Sequence, residues 1–265
     1  MQSRKLFIVL IAASLFFVEK TDAQISDSDK IEISPVIPES SWILLKAKGA
    51  FQWNYGDWKD RYPYFTSIPI EVEYSHQNKW AIGANFAFTL GSQVVTDPLF
   101  KGMTNSDGYL LDLNGYPAVI RTYMRGYQTQ LYLLKTHIIR SNRSSRWLLQ
   151  YGGGVGYYLN YTKYVFDLDM VPLLEENNLG LFDQRAGGFT SIQKAQLSYL
   201  DNNSVSFYIG MEVFQGYGKS LRPYTMGVGQ NQGTKTDGSF GLYGGIIIPI
   251  NVSKQRVETT DYFLD

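Results

Sequence analysis

Lys46 and Lys48 lie two positions apart, and so do Glu71 and Glu73. That spacing puts each pair on one face of an extended strand, because strand side chains alternate with period two. If the two segments form an antiparallel hairpin, one register sets Lys46 opposite Glu73 and Lys48 opposite Glu71. Cross-strand pairs of opposite charge stabilise by roughly 0.2–1 kcal/mol each. Arg125 and Glu212 also fall on strand-like segments and complete the set of charges expected to point inward. The chemistry this predicts is electrostatic: a ladder of paired charges in an enclosed polar space.

Reactive chemistry has few carriers. His76 and His137 are the only imidazoles, and a serine–histidine nucleophile needs a third group to orient the base. Neither histidine lies in a local pattern that supplies one, so no enzymatic activity is expected. Gly152, Gly153, Gly154 and Gly156 resemble a phosphate cradle in composition. Such a cradle requires a strand, a tight turn and a helix N-terminus, whereas these glycines interrupt a strand pattern and are expected to make room in a narrow interior. Asp167, Asp169, Glu175 and Glu176 offer oxygen ligands without EF-hand spacing, which predicts a solvated loop and no metal. No cofactor is expected either. The chain has no cysteine, which excludes disulfides, a lipoprotein anchor and thiolate chemistry, and its zero net charge argues against nucleic acid as a partner.

The elements that must position these residues show two rhythms. Eight stretches alternate apolar and polar residues: about 42–55, 65–74, 80–90, 120–139, 147–161, 189–200, 205–215 and 239–252. The gaps between them are long and short by turns, with the longest at 91–117, 162–188 and 216–238. Short turns inside and long loops outside are the pattern of a barrel spanning an outer membrane. The predicted fold is therefore all-β: an eight-stranded antiparallel transmembrane β-barrel with short periplasmic turns and long extracellular loops. The 20 Tyr, 15 Phe, 5 Trp and 25 Gly fit this class, with aromatics near strand ends forming interfacial girdles. In the fourth stretch Arg121 and Arg125 sit on one parity and Gln128 and Gln130 on the other. A bulge near Gly126 would exchange the faces and turn Arg125 inward.

The flanks are read separately. Residues 1–23 carry a basic start, an apolar run from Leu6 to Val18 and small residues before Gln24, as in a cleaved secretory leader. Residues 24–41 are expected to form a periplasmic lead-in, 42–252 the barrel, and 253–265 a periplasmic tail in which Tyr262, Phe263 and Leu264 are candidate contacts.

An eight-stranded barrel is roughly filled by its own side chains, so function is sought in the loops. One contains Leu99, Phe100, Leu110 and Leu111, and the next contains Phe166, Leu173, Leu174 and Phe182. Apolar loops of this kind either engage a partner or fold over the barrel mouth as a self-packed cap.

The leader, the outward apolar stripe and the gap pattern resemble small eight-stranded outer-membrane barrels of the OmpA-barrel and OmpX type. The tyrosine-rich strands are similar to the versions found in Bacteroidota, some of which, the PorT and PorG barrels, are accessory parts of type IX secretion. The resemblance implies a non-enzymatic protein of the Gram-negative outer membrane, in contact with outer-membrane lipid and with protein partners in the outer membrane or periplasm. The alternatives are a lipid A- or phospholipid-modifying enzyme and a narrow pore for small or apolar solutes.

Overall fold

A computed structural model describes residues 41–252 apart from 78, 97–98, 142–144, 167–170, 172–173, 175, 202–204, 227–228 and 231–232. The expected leader, lead-in and tail, with Tyr262, Phe263 and Leu264, lie outside the described residues, as do Leu173, Asp167, Asp169 and Glu175.

Eight antiparallel strands close into a barrel: β1 (Trp42–Gly56), β2 (Tyr64–His76), β3 (Trp80–Gly91), β4 (Ile120–Ser141), β5 (Ser145–Phe166), β6 (Ala186–Asp201), β7 (Ser206–Ser220) and β8 (Thr234–Asn251). Each pairs with its chain neighbours, and β8 returns to pair the whole length of β1, from Trp42 opposite Asn251 to Gly56 opposite Asp237. Closure leaves no strand edge, which is the condition for a sheet to exist within hydrocarbon.

Burial is inverted relative to a soluble barrel. Outward positions such as Ile70, Leu131 and Val155 are 62%, 65% and 66% exposed, while Glu73 and Ser198, pointing inward, are fully covered. An apolar exterior around a polar interior identifies a barrel built for a bilayer. No helix among the described residues is long and apolar enough to cross one.

The strands are longer than the alternation predicts, mainly at the long-loop end. β5 runs to Phe166, β7 to Ser220, and β8 begins at Thr234 inside the glycine-rich gap. Glycine is what permits this: a Cβ on Gly216 would come within 2.7 Å of the Tyr158 ring. The expected bulge near Gly126 is absent, since Gly126 stays in register with Thr89 on β3 and Asn160 on β5. The β4–β5 register shifts instead between Ile138 and Arg140, near the short turn. One parity therefore holds through Gly126, and Arg125 faces outward, correcting its expected place in the lumen.

The β1–β2 register also differs from expectation by two residues: Lys46 lies opposite Glu71, and Leu44 opposite Glu73. Even so, both expected ion pairs form, as diagonals.

Candidate functional site

Side chains occupy the lumen in three layers. At the short-turn end, Leu44, Leu148, Leu200 and Ile247 form an apolar floor, all 8% exposed or less.

Above the floor lies an ionic layer. Lys46 Nζ is 2.6 Å from Glu73 Oε2, and Lys48 Nζ is 3.0 Å from Glu71 Oε1 and 2.9 Å from Glu212 Oε2. Lys194, on β6, completes it at 2.7 Å from Glu71 Oε1. Three cations and three carboxylates thus neutralise one another in a space where an unpaired charge would be costly. The remaining lone pairs are satisfied locally. Gln52 donates to Glu212 at 2.6 Å, Gln150 to Glu73 at 2.9 Å, and the Tyr132 hydroxyl to Glu71 and Glu73 at 3.3 Å each. Gln196 donates to Gln150 and accepts from Tyr243, while Asn85 donates to Gln130 and, at 3.5 Å, to Glu71. With these links every strand of the barrel contributes to one network. Tyrosine faces line it: Lys48 lies 3.8 Å from the Tyr243 ring centroid and Lys194 4.1 Å from that of Tyr132, distances at which cations are attracted to π systems.

The third layer is a plug supplied by the short loop between β1 and β2. Arg61 turns down into the mouth, with Nη2 2.6 Å from Asp237 Oδ1 and Nη1 donating to Asn160 Oδ1 at 3.2 Å. The Tyr158 hydroxyl donates to the other Asp237 oxygen at 2.7 Å. Burial works against the Arg61 charge, yet the Asp237 carboxylate overcomes it and holds the guanidinium above its ordinary range. Trp58 stacks on Phe214 at 4.9 Å and meets Tyr158 and Phe65 edge-on. Tyr62, bonded to Thr162 at 2.9 Å, is fully buried, which pushes its phenol up.

The long loops pack over this plug. Leu99, Leu174 and Phe182 are buried together with Tyr164 and Val171, and Phe100 packs against them; Leu110 is also buried. Arg222 clamps Asp183 across two loops, Nη2 to Oδ2 at 2.6 Å, a hydrogen bond that raises its pKa. Four of the candidate loop residues, Leu99, Phe100, Leu174 and Phe182, therefore serve a cap. Leu111 does not: it lies in a hairpin bridged from Leu111 to Pro117, where Tyr109, Leu111, Leu113 and Tyr116 are 55%, 41%, 58% and 70% exposed. Two carboxyl- or amide-capped turns stiffen this hairpin, Asn105 Oδ1 accepting from the amides of Asp107 and Tyr109, and Asp112 Oδ1 from those of Asn114 and Tyr116. Phe166 closes β5 opposite Ile120.

Of the expected charge ladder, Lys46, Lys48, Glu71, Glu73 and Glu212 converge, and Arg125 does not. Its guanidinium lies on the outer wall 4.9 Å from the Tyr123 ring centroid. Lys194, Arg61 and Asp237 are the partners that pattern reading missed. Lys194 shares a parity with Gln196 and Ser198 inside the expected sixth strand, and Asp237 continues the inward parity of Ser239 and Gly241 once the eighth strand is extended. Arg61 has no such signal.

Both histidines are exposed on the outer wall. His137 stacks on Tyr151, its Nε2 3.2 Å from the hydroxyl. His76 Nδ1 lies 3.5 Å from Ser41 Oγ and 3.5 Å from the Tyr74 hydroxyl, so the group beside this serine–histidine contact is a phenol. The glycines from Gly152 to Gly156 lie mid-strand in β5, with no helix start to complete a phosphate cradle.

No protein-family model and no curated protein sequence matches the chain. Among solved structures it is similar to the attachment invasion locus protein Ail of Yersinia pestis, with 12% identity, 79% of this chain and 99% of that one covered, and a TM-score of 0.39. Neisserial surface protein A matches with 12% identity over 78% of this chain and 96% of that one, at a TM-score of 0.38. OprG of Pseudomonas aeruginosa matches with 14% identity over 80% and 97%, at a TM-score of 0.40.

Proposed function

We propose that the protein is a non-enzymatic barrel of a Gram-negative outer membrane, exported by a cleaved leader, that acts by binding protein partners through its long-loop face. The observation that carries this reading is the stiffened hairpin around Leu111, Leu113 and Tyr116, which stays exposed while the neighbouring apolar loop residues are packed away. An ordered apolar projection of this kind fits an interface better than a solvated loop. The filled, charge-neutral lumen favours a scaffold over a conduit. A role as accessory to an export machine, such as type IX secretion, or in envelope integrity, rests on the resemblance read in the sequence.

Pull-down of the intact protein from native membranes in mild detergent tests this reading. Stable companions lost on combined Tyr109→Ser, Leu111→Ser, Leu113→Ser and Tyr116→Ser substitution support it; wild type that recovers none overturns it. The Ser41–His76 contact favours lipid-modifying chemistry as a second reading. That reading requires the membrane lipid mass spectrum to change when His76→Ala replaces the native protein.

A further inference from the structure

The loop between β3 and β4 folds back on the start of β4 to enclose a pocket of about 360 Å³. Two of its lining residues, Ile120 and Thr122, share the inward parity of Met124 and Gly126, so the pocket lies on the mouth side of the wall. It fills the ground between the cap and the exposed hairpin. Phe100, Ala118 and Ile120 pack against the cap cluster, and the Ala118 amide donates to the carbonyl of buried Leu110 at 2.8 Å. The other side is held by the Asn105 turn. Gly108 takes a left-handed φ of 86° and donates its amide to the Asn105 carbonyl at 3.0 Å, while the Asn105 amide donates to the Tyr109 carbonyl at 2.9 Å. Walls fixed in advance lower the ordering cost of binding.

Two kinds of surface meet in this space. Phe100, Leu110, Ala118 and Ile120 give it an apolar side, with Tyr109 beside them, and Thr96, Thr104 and Thr122 give it three hydroxyls. Among the described residues these hydroxyls have no hydrogen-bond partner, and each can both donate and accept. A purely apolar ligand would leave them unpaired, and a compact anion would meet Lys101 as the only cation of the lining. A molecule with C–H groups on its face and several hydroxyls on its edge satisfies both surfaces. That description is a sugar ring. The volume sits at the lower end of the roughly 300–1,000 Å³ of ligand pockets, which suits a ring better than a long chain. We infer that this pocket binds a neutral sugar ring, carried either by the lipopolysaccharide around the barrel or by a free saccharide. The inference does not depend on any protein partner.

Saturation-transfer difference NMR on the purified full chain, in a detergent without sugar, tests it. The probes are the neutral hexose oligosaccharide of a lipopolysaccharide outer core, and maltose. Binding of either supports the proposal, and the tighter of the two identifies the source. Combined Thr104→Val and Thr122→Val substitution is expected to weaken that binding about tenfold through two lost hydrogen bonds, and Thr104→Val alone, at an exposed position, about threefold. The matching serine variants, which keep the hydroxyls, stay within about twofold of wild type. Thr129→Val, on the outer wall of β4, leaves binding unchanged. Cyclohexanol, a ring with a single hydroxyl, binds at least about tenfold more weakly than the sugar. Failure of both sugars, undiminished binding in the double valine variant, equal loss in Thr129→Val, or equal binding of cyclohexanol would overturn the proposal.

Discussion

The ionic layer and the mouth plug both neutralise buried charge, but they are built differently. In the ionic layer all six charges stand on strands, at inward positions set by the pleat, and Lys48 and the three carboxylates are each held by two or more partners. In the plug the cation comes from a loop and only the anion from a strand. The first arrangement joins the whole wall. The second ties a loop to one part of it, and so can be lost without opening the barrel.

Glu71→Gln probes the first region and should have the largest effect. It leaves Lys48 and Lys194 short of their shared carboxylate, and breaking a buried pair by removing one partner costs about 3–5 kcal/mol. Urea unfolding in lipid vesicles measures this, and a loss below about 1 kcal/mol would show that the layer is redundant. Arg61→Ala probes the second. It removes a charged hydrogen bond worth about 1.5–3 kcal/mol and should weaken the mouth while the strands stay paired, so amide exchange should rise in residues 57–63 and not at Lys46 or Lys194. If exchange rises equally in both, the contrast between the regions fails. Tyr132→Phe removes the hydroxyl that bridges Glu71 and Glu73 and should cost about 1 kcal/mol. Leu113→Ser, on the exposed hairpin, should stay within about 0.5 kcal/mol of wild type, confining any loss to partner binding.

The same contrast explains what was legible in the sequence. Strand parity is a local property, so the inward placement of Lys46, Lys48, Glu71, Glu73 and Glu212 follows from period two alone. Register is not local. Charge matching favoured direct opposition of Lys46 and Glu73, but long side chains reach a diagonal neighbour as readily, and the wall settled two residues away. Arg125 was misplaced because mixed parity suggested a bulge; at the interface a cation on the outward face needs none. Lys194 was missed because the sixth strand carries a weak apolar stripe, and Arg61 because loops have no period. The apolar loops were read correctly as unusual, yet composition does not distinguish Leu99, which packs inward, from Leu113, which does not.

The pair Lys48–Glu212 joins residues 164 positions apart, reaching from the first strand past the last to the seventh. A contact of that separation waits for every intervening strand, so it can contribute little to the rate at which the barrel assembles. Interactions absent from the transition state act on unfolding instead. This ion pair is thus a latch on the lifetime of the closed wall: its loss should shorten the life of the finished protein in the membrane while leaving its speed of insertion nearly unchanged.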